Sequence, residues 1–368
     1  MTELCWALAL GAVTLYESRL YLDDWQETHQ VALDAVQRAR DTRGEAAVLY
    51  SMGTLSMVEQ RFGAAYESLS AAAALFREID DDQGLALVVR HVAFLDRLSG
   101  RLEEAASGYE QALRVFRAAG DPIAAAYVLH GLAGVKLEQG ALGQAQELLG
   151  EALRLSQGTR SARVEAQVLH RMGEAHLRAG EPGRAAESFG HALERVRDAG
   201  DSLGEAYALH GVGVARVREG KPDLARAALQ RAMVLARTVG DRLVEGRVLL
   251  GMAELALVSG DTAEAAALAE QAAGAFSATG ASLYEKQAHA LVRGARAEPP
   301  ADGADPGRRD SPGLPRAAAG RGTRPAARIR SSASCRQSSA PRGVIVWRAT
   351  RAGRVAHVGR GAEWYRRR

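Results

Sequence analysis

Apolar positions along this chain fall into runs with helical spacing, and the runs return every forty residues. The unit from Asp201 to Gly240 contains two such runs, which are separated by Gly220 and Pro222. The apolar positions of the first run are Leu203, Ala206, Ala208, Leu209, Val212 and Ala215, and those of the second are Leu224, Ala225, Ala228, Leu229, Ala232, Met233 and Leu235. Each unit therefore predicts two antiparallel helices joined by a short turn.

The same residue types occupy the same place in successive units. One alanine column is Ala65, Ala105, Ala145, Ala185, Ala225 and Ala265, and a second is Ala72, Ala112, Ala152, Ala192, Ala232 and Ala272. A glycine column is Gly100, Gly140, Gly180, Gly220 and Gly260. Self-similarity at this period is typical of stacked helical units, each of which needs a neighbour to bury its apolar stripe. The pattern predicts an all-α solenoid.

Helix ends and close helix packing can be predicted from the same columns. Aspartates that precede the first helix of a unit are expected to be N-caps, namely Asp41, Asp81, Asp121, Asp201 and Asp241. Gly220 and Gly240 suit the left-handed conformation that follows a helix. Gly53, Gly173 and Gly213 share a column in the first helix, where a small residue lets the second helix approach closely.

The arrangement of large and small residues resembles the tetratricopeptide repeat. Val212-Gly213, Ala225, Leu229 and Ala232 match its positions, and equivalents occur in each unit. The resemblance covers about residues 4–281 as seven units, with a partial helix from Ser282 to about Arg296. It implies a right-handed α-solenoid of helix pairs over residues 1–296. Two departures are the period of forty, where the family usually has 34, and Gly-Asp junctions in place of the closing proline.

A narrower resemblance is to the C-terminal sensor arrays of large actinobacterial transcriptional regulators. It rests on the long period, the Gly-Asp junctions and phrases such as Gly204-Glu205-Ala206-Tyr207-Ala208-Leu209. In those regulators the repeats follow a DNA-binding domain and a signal-transducing ATPase domain. Met1 opens within the first helix without a capping aspartate, which agrees with a fragment or a mis-set start.

The family resemblance implies a ligand groove, because the first helices of tetratricopeptide repeats line the concave surface. The positions that would face this groove are Tyr50, Arg90, Tyr127, His130, Gln167, His170, Tyr207, His210 and Arg247. The histidines among them either face a ligand or hydrogen-bond a neighbouring helix. If they are open to solvent, their protonation near pH ~6.5 makes the groove sensitive to pH.

Metal binding and the chaperone-tail clamp of the family are both disfavoured at this groove. Stacked helix pairs stand roughly 10 Å apart. Imidazoles one repeat apart therefore cannot share a zinc ion, whose bonds to nitrogen are about 2 Å long. The clamp needs lysine and asparagine, but its asparagine position holds Thr54, Phe94, Gly134, Glu174, Val214 and Glu254. We expect no metal site and no cofactor.

Motifs that carry catalysis are missing from the sequence. Lys221 lies in Glu-Gly-Lys-Pro, and neither Lys136 nor Lys286 follows a glycine-rich turn, so there is no P-loop. The sequence contains no His-Glu-x-x-His, no CxxC and no Gly-x-Ser-x-Gly. Glu174 and Glu254 share a column, but eighty residues separate them. We expect a protein that is not an enzyme.

Residues 297–368 differ sharply in composition from the repeats. They contain sixteen arginines, no lysine and five acidic residues, a formal charge of +11, so the rest of the chain carries −8. Seven of the ten prolines lie there, and such composition favours disorder. Two interpretations remain open. The segment is a basic arm that binds nucleic-acid phosphates, or it is the product of a shifted reading frame in a GC-rich gene.

The remaining composition favours a cytoplasmic location. Cys5 and Cys335 lie far apart in different regions, which excludes a disulfide scaffold. The apolar residues 4–15 are too few to span a membrane, lack a basic flank and follow the repeat register. The sequence thus predicts a cytoplasmic scaffold that binds a protein or peptide in its groove and belongs to a transcriptional regulator. The alternative is a nucleic-acid-associated protein that acts through its basic tail, and neither interpretation involves a membrane.

Overall fold

The computed structural model describes residues 2–19, 21–159 and 161–296. In these ranges the chain forms fifteen α-helices. They are α1 (Thr2–Arg19), α2 (Leu22–Ala39), α3 (Thr42–Val58), α4 (Phe62–Glu78), α5 (Asp82–Leu98), α6 (Leu102–Ala118), α7 (Pro122–Glu138), α8 (Leu142–Thr159), α9 (Ala162–Arg178), α10 (Pro182–Asp198), α11 (Ser202–Arg218), α12 (Pro222–Val239), α13 (Arg242–Val258), α14 (Thr262–Thr279) and α15 (Ser282–Arg296).

The helices stack as seven antiparallel pairs followed by α15, in a right-handed α-solenoid. Each helix packs against the next along the chain. Odd-numbered helices also contact the odd-numbered helix of the neighbouring pair, as α7 does with α9 and α11 with α13. Even-numbered helices of the described residues make no comparable contacts with one another. The odd-numbered helices therefore lie on the inner side of the curved stack.

The helix ends follow the capping chemistry expected from the sequence. Asp121 Oδ1 accepts hydrogen bonds from the amides of Ile123 and Ala124, at 3.0 and 2.9 Å. The equivalent aspartates Asp41, Asp81, Asp201 and Asp241 each accept one amide of the first turn. Gly220 and Gly240 have φ of 70° and 76°. The junctions between helices are thus fixed locally, by side chains within three residues of each helix end.

Close packing within a pair depends on the glycine column of the first helix. A Cβ added at Gly213 would lie 2.6 Å from Leu229 Cγ, and one at Gly53 would lie 2.7 Å from Leu69 Cγ. Gly173 faces Phe189 in the same way, at 2.7 Å. In each case the partner stands sixteen residues further along the chain. The predicted role of this column is confirmed, since a larger side chain would need the second helix to move away.

Three turns use residues other than glycine in the left-handed conformation. Arg40, Gln60 and Asp80 have φ of 56°, 59° and 53°, where other repeats place glycine. A non-glycine residue in this region costs roughly 1–2 kcal/mol. All three lie in the first part of the solenoid, which shows that the turn geometry persists where the glycine signal is lost.

The curvature of the stack brings the third helix pair against the last helix. Arg97 in α5 donates a hydrogen bond from Nη1 to the hydroxyl of Tyr284 in α15, at 3.2 Å. The amide of Arg242 donates to Gln60 Oε1 at 2.9 Å. Leu98 shares an apolar core with residues of α11 to α15. Segments more than 180 residues apart in sequence are therefore packed together.

The predicted basic tail, residues 297–368, lies outside the described residues, as does Cys335. The division of the chain at residues 296 and 297 stays a prediction. Within residues 2–296, leaving out residues 20 and 160, no helix has both the length and the apolar character required to cross a membrane.

Candidate binding surface

The nine predicted groove residues lie on odd-numbered helices, from α3 to α13. We call the surface that they form the inner wall: Tyr50, Arg90, Tyr127, His130, Gln167, His170, Tyr207, His210 and Arg247. None of the nine is exposed; His210 is buried, and the other eight are partly buried. The inner wall is therefore largely enclosed, on the side of the stack where α5 also packs against α15. The role of these nine residues in binding a ligand stays a prediction.

Burial sets the protonation state of the inner-wall histidines. Burial lowers the pKa of His130 well below its ordinary value, and the neighbouring Arg171 lowers it further. Burial and then Arg247 do the same to the pKa of His210. The pKa of His170 is lowered by burial in spite of the nearby Glu174. These imidazoles are neutral at pH 7, so the pH sensitivity expected near pH 6.5 is displaced to lower pH.

Glu174 is the centre of the charged part of the inner wall. Its Oε2 accepts from Arg171 Nη1 and its Oε1 accepts from Arg247 Nη2, both at 2.5 Å. His170 Nε2 lies 3.4 Å from Glu174 Oε1. Burial alone would raise the pKa of Glu174, but the two guanidinium groups hold it well below its usual range. The carboxylate thus bridges α9 and α13, with α11 between them in the stack.

Tyr284 connects this charged region to the other end of the stack. Its hydroxyl accepts from Arg97, and its ring lies 5.7 Å from the guanidinium carbon of Arg247. Arg247 also lies over the ring of Tyr207, at 5.5 Å. Burial acts to raise the pKa of Tyr284, but Arg97 and Arg247 outweigh it and the net shift is downward. The aromatic rings and guanidinium groups therefore form one contact network.

Aromatic and basic side chains continue along the wall toward the N-terminal repeats. The guanidinium carbon of Arg90 stands 5.4 Å from the ring centre of Tyr127. The rings of Tyr50 and His91 have centroids 5.5 Å apart. Arg171 Nη2 lies 3.5 Å from His130 Nε2, which joins this stretch to the Glu174 network. The wall offers stacked rings and cationic donors side by side, a combination that suits peptide side chains and backbone carbonyls.

Four important members of the network were not predicted as groove residues: Arg97, Arg171, Glu174 and Tyr284. Arg97 occupies a column that holds Glu17 in the first unit and Met57, Leu137, Leu177, Val217 and Leu257 in the others. An arginine among five apolar residues of one column was a usable signal. Glu174 was noticed for its column, but its partners on α9 and α13 depend on how the repeats curve.

Metal coordination has no candidate site in the described part of the chain. No group of three or more His, Cys, Asp or Glu residues there is placed to hold a metal ion. The carboxylate beside the inner-wall histidines, Glu174, is already engaged by Arg171 and Arg247.

Solved structures with the same fold include two Rap proteins. One is a Rap protein complexed with Competence and Sporulation Factor, with TM-score 0.57, 15% identity, and coverage of 80% of this chain and 99% of that chain. The other is the Rap conjugation gene regulator of the plasmid pLS20 in complex with the Phr* peptide, with TM-score 0.54, 11% identity, and coverage of 79% and 95%.

The Cut9–Hcn1 hetero-tetramer of APC/C is a third similar structure, with TM-score 0.51, 17% identity, and coverage of 78% of this chain and 52% of that chain. At these identities the likeness shows the fold alone. No curated protein has significant sequence similarity to this chain.

A family model described as tetratricopeptide repeat matches the sequence three times, at residues 85–158, 122–198 and 164–238. These overlapping matches span α5 to α12, the part of the stack that carries most of the inner wall. The flanking helix pairs have the same forty-residue register and the same packing. The chain therefore contains tetratricopeptide repeats.

Proposed function

We propose that this protein binds a peptide, or an extended segment of a protein, along its inner wall. The observation that carries the proposal is the lining of that wall, where arginine side chains lie over aromatic rings of the neighbouring helix pair, as Arg90 does over Tyr127 and Arg247 over Tyr207. Extended ligands suit a solenoid because successive contacts can follow its axis. Two of the similar structures are complexes, one with Competence and Sporulation Factor and one with the Phr* peptide, which agrees with this use of the fold.

The experiment that tests the proposal is selection of binding peptides, followed by substitution in the wall. Peptides selected on the full chain from a random library are measured by fluorescence anisotropy. We expect His170→Gln with His210→Gln to weaken binding about tenfold or more, the loss of one to two hydrogen bonds or packed contacts. The control is His191→Gln with His289→Gln, since these side chains are 67% and 53% exposed.

Two results would count against a peptide site on the wall. One is equal binding by the inner-wall and control variants. The other is selection of peptides whose binding is lost only when exposed residues of the even-numbered helices are replaced. Melting temperatures of both double variants, measured in parallel, separate a loss of binding from a loss of folding.

We further propose that the repeats are the regulatory array of a cytoplasmic transcriptional regulator, in which they bind a signal and carry out no catalysis. This assignment is supported by the Gly-Asp junctions and the forty-residue period of the sequence. The reading frame immediately upstream provides a direct test. A signal-transducing ATPase domain encoded there is expected, and an unrelated gene in the opposite orientation would contradict the assignment.

The second candidate function is association with nucleic acid through residues 297–368. The formal charge of +11 in that segment is the observation that favours it. Binding of a DNA duplex should then fall steeply between 50 and 200 mM salt, by about 10³-fold or more for six phosphate contacts. Removal of residues 297–368 should abolish it, and salt-independent or unchanged binding would exclude this function.

A further inference from the structure

One side of the first helix, α1, is apolar and exposed. Leu4 and Leu8 are 67% and 73% exposed, and a Cβ added at Gly11 would have none of the described atoms within 4 Å. The spacing of four and three residues places these positions on one side of the helix. Residues 4–16 contain no charged residue. We call Leu4, Leu8 and Gly11 the α1 face.

In every later helix pair the positions equivalent to Leu8 are buried. At steps of forty residues they are Val48, Val88, Val128, Val168, Ala208 and Val248. Each of these side chains is at most 1% exposed. Ala208 in α11 shares an apolar core with Ala192 and Val196 of α10, the second helix of the preceding pair. The side that α1 exposes is therefore the side that a preceding even-numbered helix covers elsewhere in the stack.

The column of Gly11 shows which kind of residue covers this position. A Cβ added at Gly211 would collide with the ring of Phe189, and one at Gly251 would lie 2.9 Å from Leu229 Cδ2. Phe189 and Leu229 occupy the same position of their even-numbered helices. Since nothing fills the equivalent space at Gly11, we expect a helix that covers α1 to place a large apolar residue there.

The column of Leu4 shows that the covering residue there must be small. Where this column holds glycine, the preceding helix supplies a large residue, as Phe76 does beside Gly84. Where it holds Val244, the preceding helix supplies Ala236, and both are fully buried in one core. Leucine is larger than valine, so the same complementarity requires alanine or serine opposite Leu4.

The last helix, α15, differs from α1 at both of its sides. Its Tyr284 does meet a large residue, Phe276, but the two are aromatic rings with centroids 5.4 Å apart, a packing that leucine cannot reproduce. On its other side Lys286 and Arg293 are exposed, where the same columns hold small residues in the repeats. A polar outer side is what a terminal unit of a solenoid needs for solubility. The α1 face is apolar instead, as expected of a surface that becomes covered.

We propose that the α1 face docks an amphipathic α-helix of a partner domain, in which Leu, Phe or Tyr is followed seven residues later by Ala or Ser. The large residue fills the space at Gly11, and the small residue lies against Leu4. Residues seven apart lie on one side of a helix, so a single partner helix can make both contacts. This surface is separate from the inner wall, whose nine residues belong to other helices.

A second copy of this chain is a poor source for that helix. Two of its described helices have the required pattern, α8 with Leu149 and Ser156 and α12 with Leu229 and Ala236. All four side chains are at most 1% exposed, because the neighbouring pairs already cover them. A second copy would have to unfold to offer either helix, whereas a partner domain with an uncovered helix of this pattern would not.

The test uses the sequence of α12 as a probe of the α1 face. A synthetic peptide of residues 222–240 is closed into a helix by a hydrocarbon staple between positions 230 and 234, both exposed in α12, because short isolated helices are marginal in water. Its binding to the full chain is measured by fluorescence anisotropy. The same peptide with Ala236→Phe should bind about tenfold more weakly, since two large residues then meet at Leu4. A peptide with Leu229→Ala should lose a similar factor, since it leaves the space at Gly11 empty.

Two variants of the protein locate the site. Leu8→Glu should weaken binding of the unmodified peptide about tenfold or more, because docking would bury a carboxylate without a partner. Val258→Glu is the matched control, since Val258 is 61% exposed at the end of α13. Gly11→Leu fills the docking space from within and meets no described atom of the fold, so it should also weaken binding about tenfold. It decides the question if Leu8→Glu does not fold, and melting temperatures of all three variants verify folding.

Sedimentation of the chain alone and flotation with phosphatidylcholine vesicles test the other possible occupants. Loss of peptide binding in Leu8→Glu and Gly11→Leu, with normal binding in Val258→Glu, would support the proposal. Absence of peptide binding, or equal binding by all variants, would overturn it. Self-association or vesicle binding that Leu8→Glu abolishes, without peptide binding, would assign the α1 face to a second copy or to a lipid surface and would also overturn it.

Discussion

The interface within each helix pair and the inner wall belong to the same repeats, yet they are stabilised by different kinds of contact. Within a pair, glycine and alanine face leucine or phenylalanine sixteen residues away, as Gly213 faces Leu229. On the inner wall, contacts join residues 73 and 187 positions apart, as in Arg247–Glu174 and Arg97–Tyr284. The pair interface thus depends on local spacing, and the wall depends on the curvature of the whole stack.

The largest expected effect tests the pair interface. Gly213→Val should destabilise the fold by about 3 kcal/mol, because its Cβ would lie 2.6 Å from Leu229 Cγ and the second helix would have to move. Chemical denaturation followed by circular dichroism measures the loss. Gly190→Ala is the control, since nothing lies within 4 Å of a Cβ there, and it should stabilise by about 0.5–1 kcal/mol. Equal effects of the two substitutions would contradict the close packing.

The next effect tests the burial of the inner-wall histidines. His210 has a folded-state pKa well below its ordinary value, so the unfolded chain binds its proton first as the pH falls. The free energy of unfolding should therefore reach its full value above pH 6.5 and decrease below that pH. The expected decrease is about 2 kcal/mol at pH 5 for each buried histidine of this kind. The pKa of Glu174 is held well below its ordinary value, so Glu174 stays ionised between pH 6.5 and 5 and does not change the direction of this pH dependence.

His210→Gln should flatten this pH dependence by the contribution of one histidine. The measurement is the free energy of unfolding at several pH values, so that any loss of basal stability does not affect the comparison. His191→Gln is the matched control for the substitution, because the His191 side chain is 67% exposed. If the free energy of unfolding depends on pH equally in His210→Gln and His191→Gln, His210 must take up its proton in the folded state as readily as in the unfolded chain.

A smaller effect tests the contact between α5 and α15. Tyr284→Phe keeps the ring over Arg247 and removes only the hydroxyl that accepts from Arg97, at an expected cost of about 1 kcal/mol. A double-mutant cycle with Arg97→Gln should give a coupling energy of similar size. Tyr66→Phe is the control, since Tyr66 is 38% exposed and contacts Arg101 through its ring. If the losses of stability from Tyr284→Phe and Arg97→Gln simply add, the two side chains are not in contact in solution.

The smallest effect tests the turns. Arg40→Gly should stabilise the fold by about 0.5–1 kcal/mol, because Arg40 has φ of 56° and glycine adopts this conformation without strain. Gly200→Ala, at an equivalent turn with φ of 67°, should destabilise by about 1 kcal/mol. Thermal denaturation of both variants measures the two opposite shifts. Shifts of the same sign would show that side-chain contacts outweigh backbone strain at these turns.

Sequence periodicity was sufficient to predict the helix pairs, because every signal involved is local. The cap at Asp121 is confirmed by its bonds to the next two amides, and the close approach at Gly213 is confirmed by Leu229. The fold class is also confirmed, since the described helices form a right-handed α-solenoid with solved structures of the same architecture.

The charged network of the inner wall was not predictable in the same way. His130, His170 and His210 share one column, and the family resemblance implied that they lie on the inner surface, but their enclosure depends on a small rotation per repeat that accumulates over several pairs. Glu174 pairs with Arg247 across an intervening helix, and no column predicts that pairing. The role of His130, His170 and His210 as ligand-binding residues remains a prediction. Arg97 was marked by an apolar column, yet only the fold identifies Tyr284 as its partner.

The contact between Arg97 and Tyr284 has a consequence for how this chain folds. In an open repeat array each unit touches only its neighbours, so folding can start anywhere and spread along the chain. We expect the third pair and the last helix to meet only after the intervening repeats have stacked, because loop-closure entropy is lost before such a non-local contact stabilises the fold. This contact is therefore expected to form late. It joins segments that would otherwise fray independently, and it makes the last helix part of the same cooperative transition as the third pair.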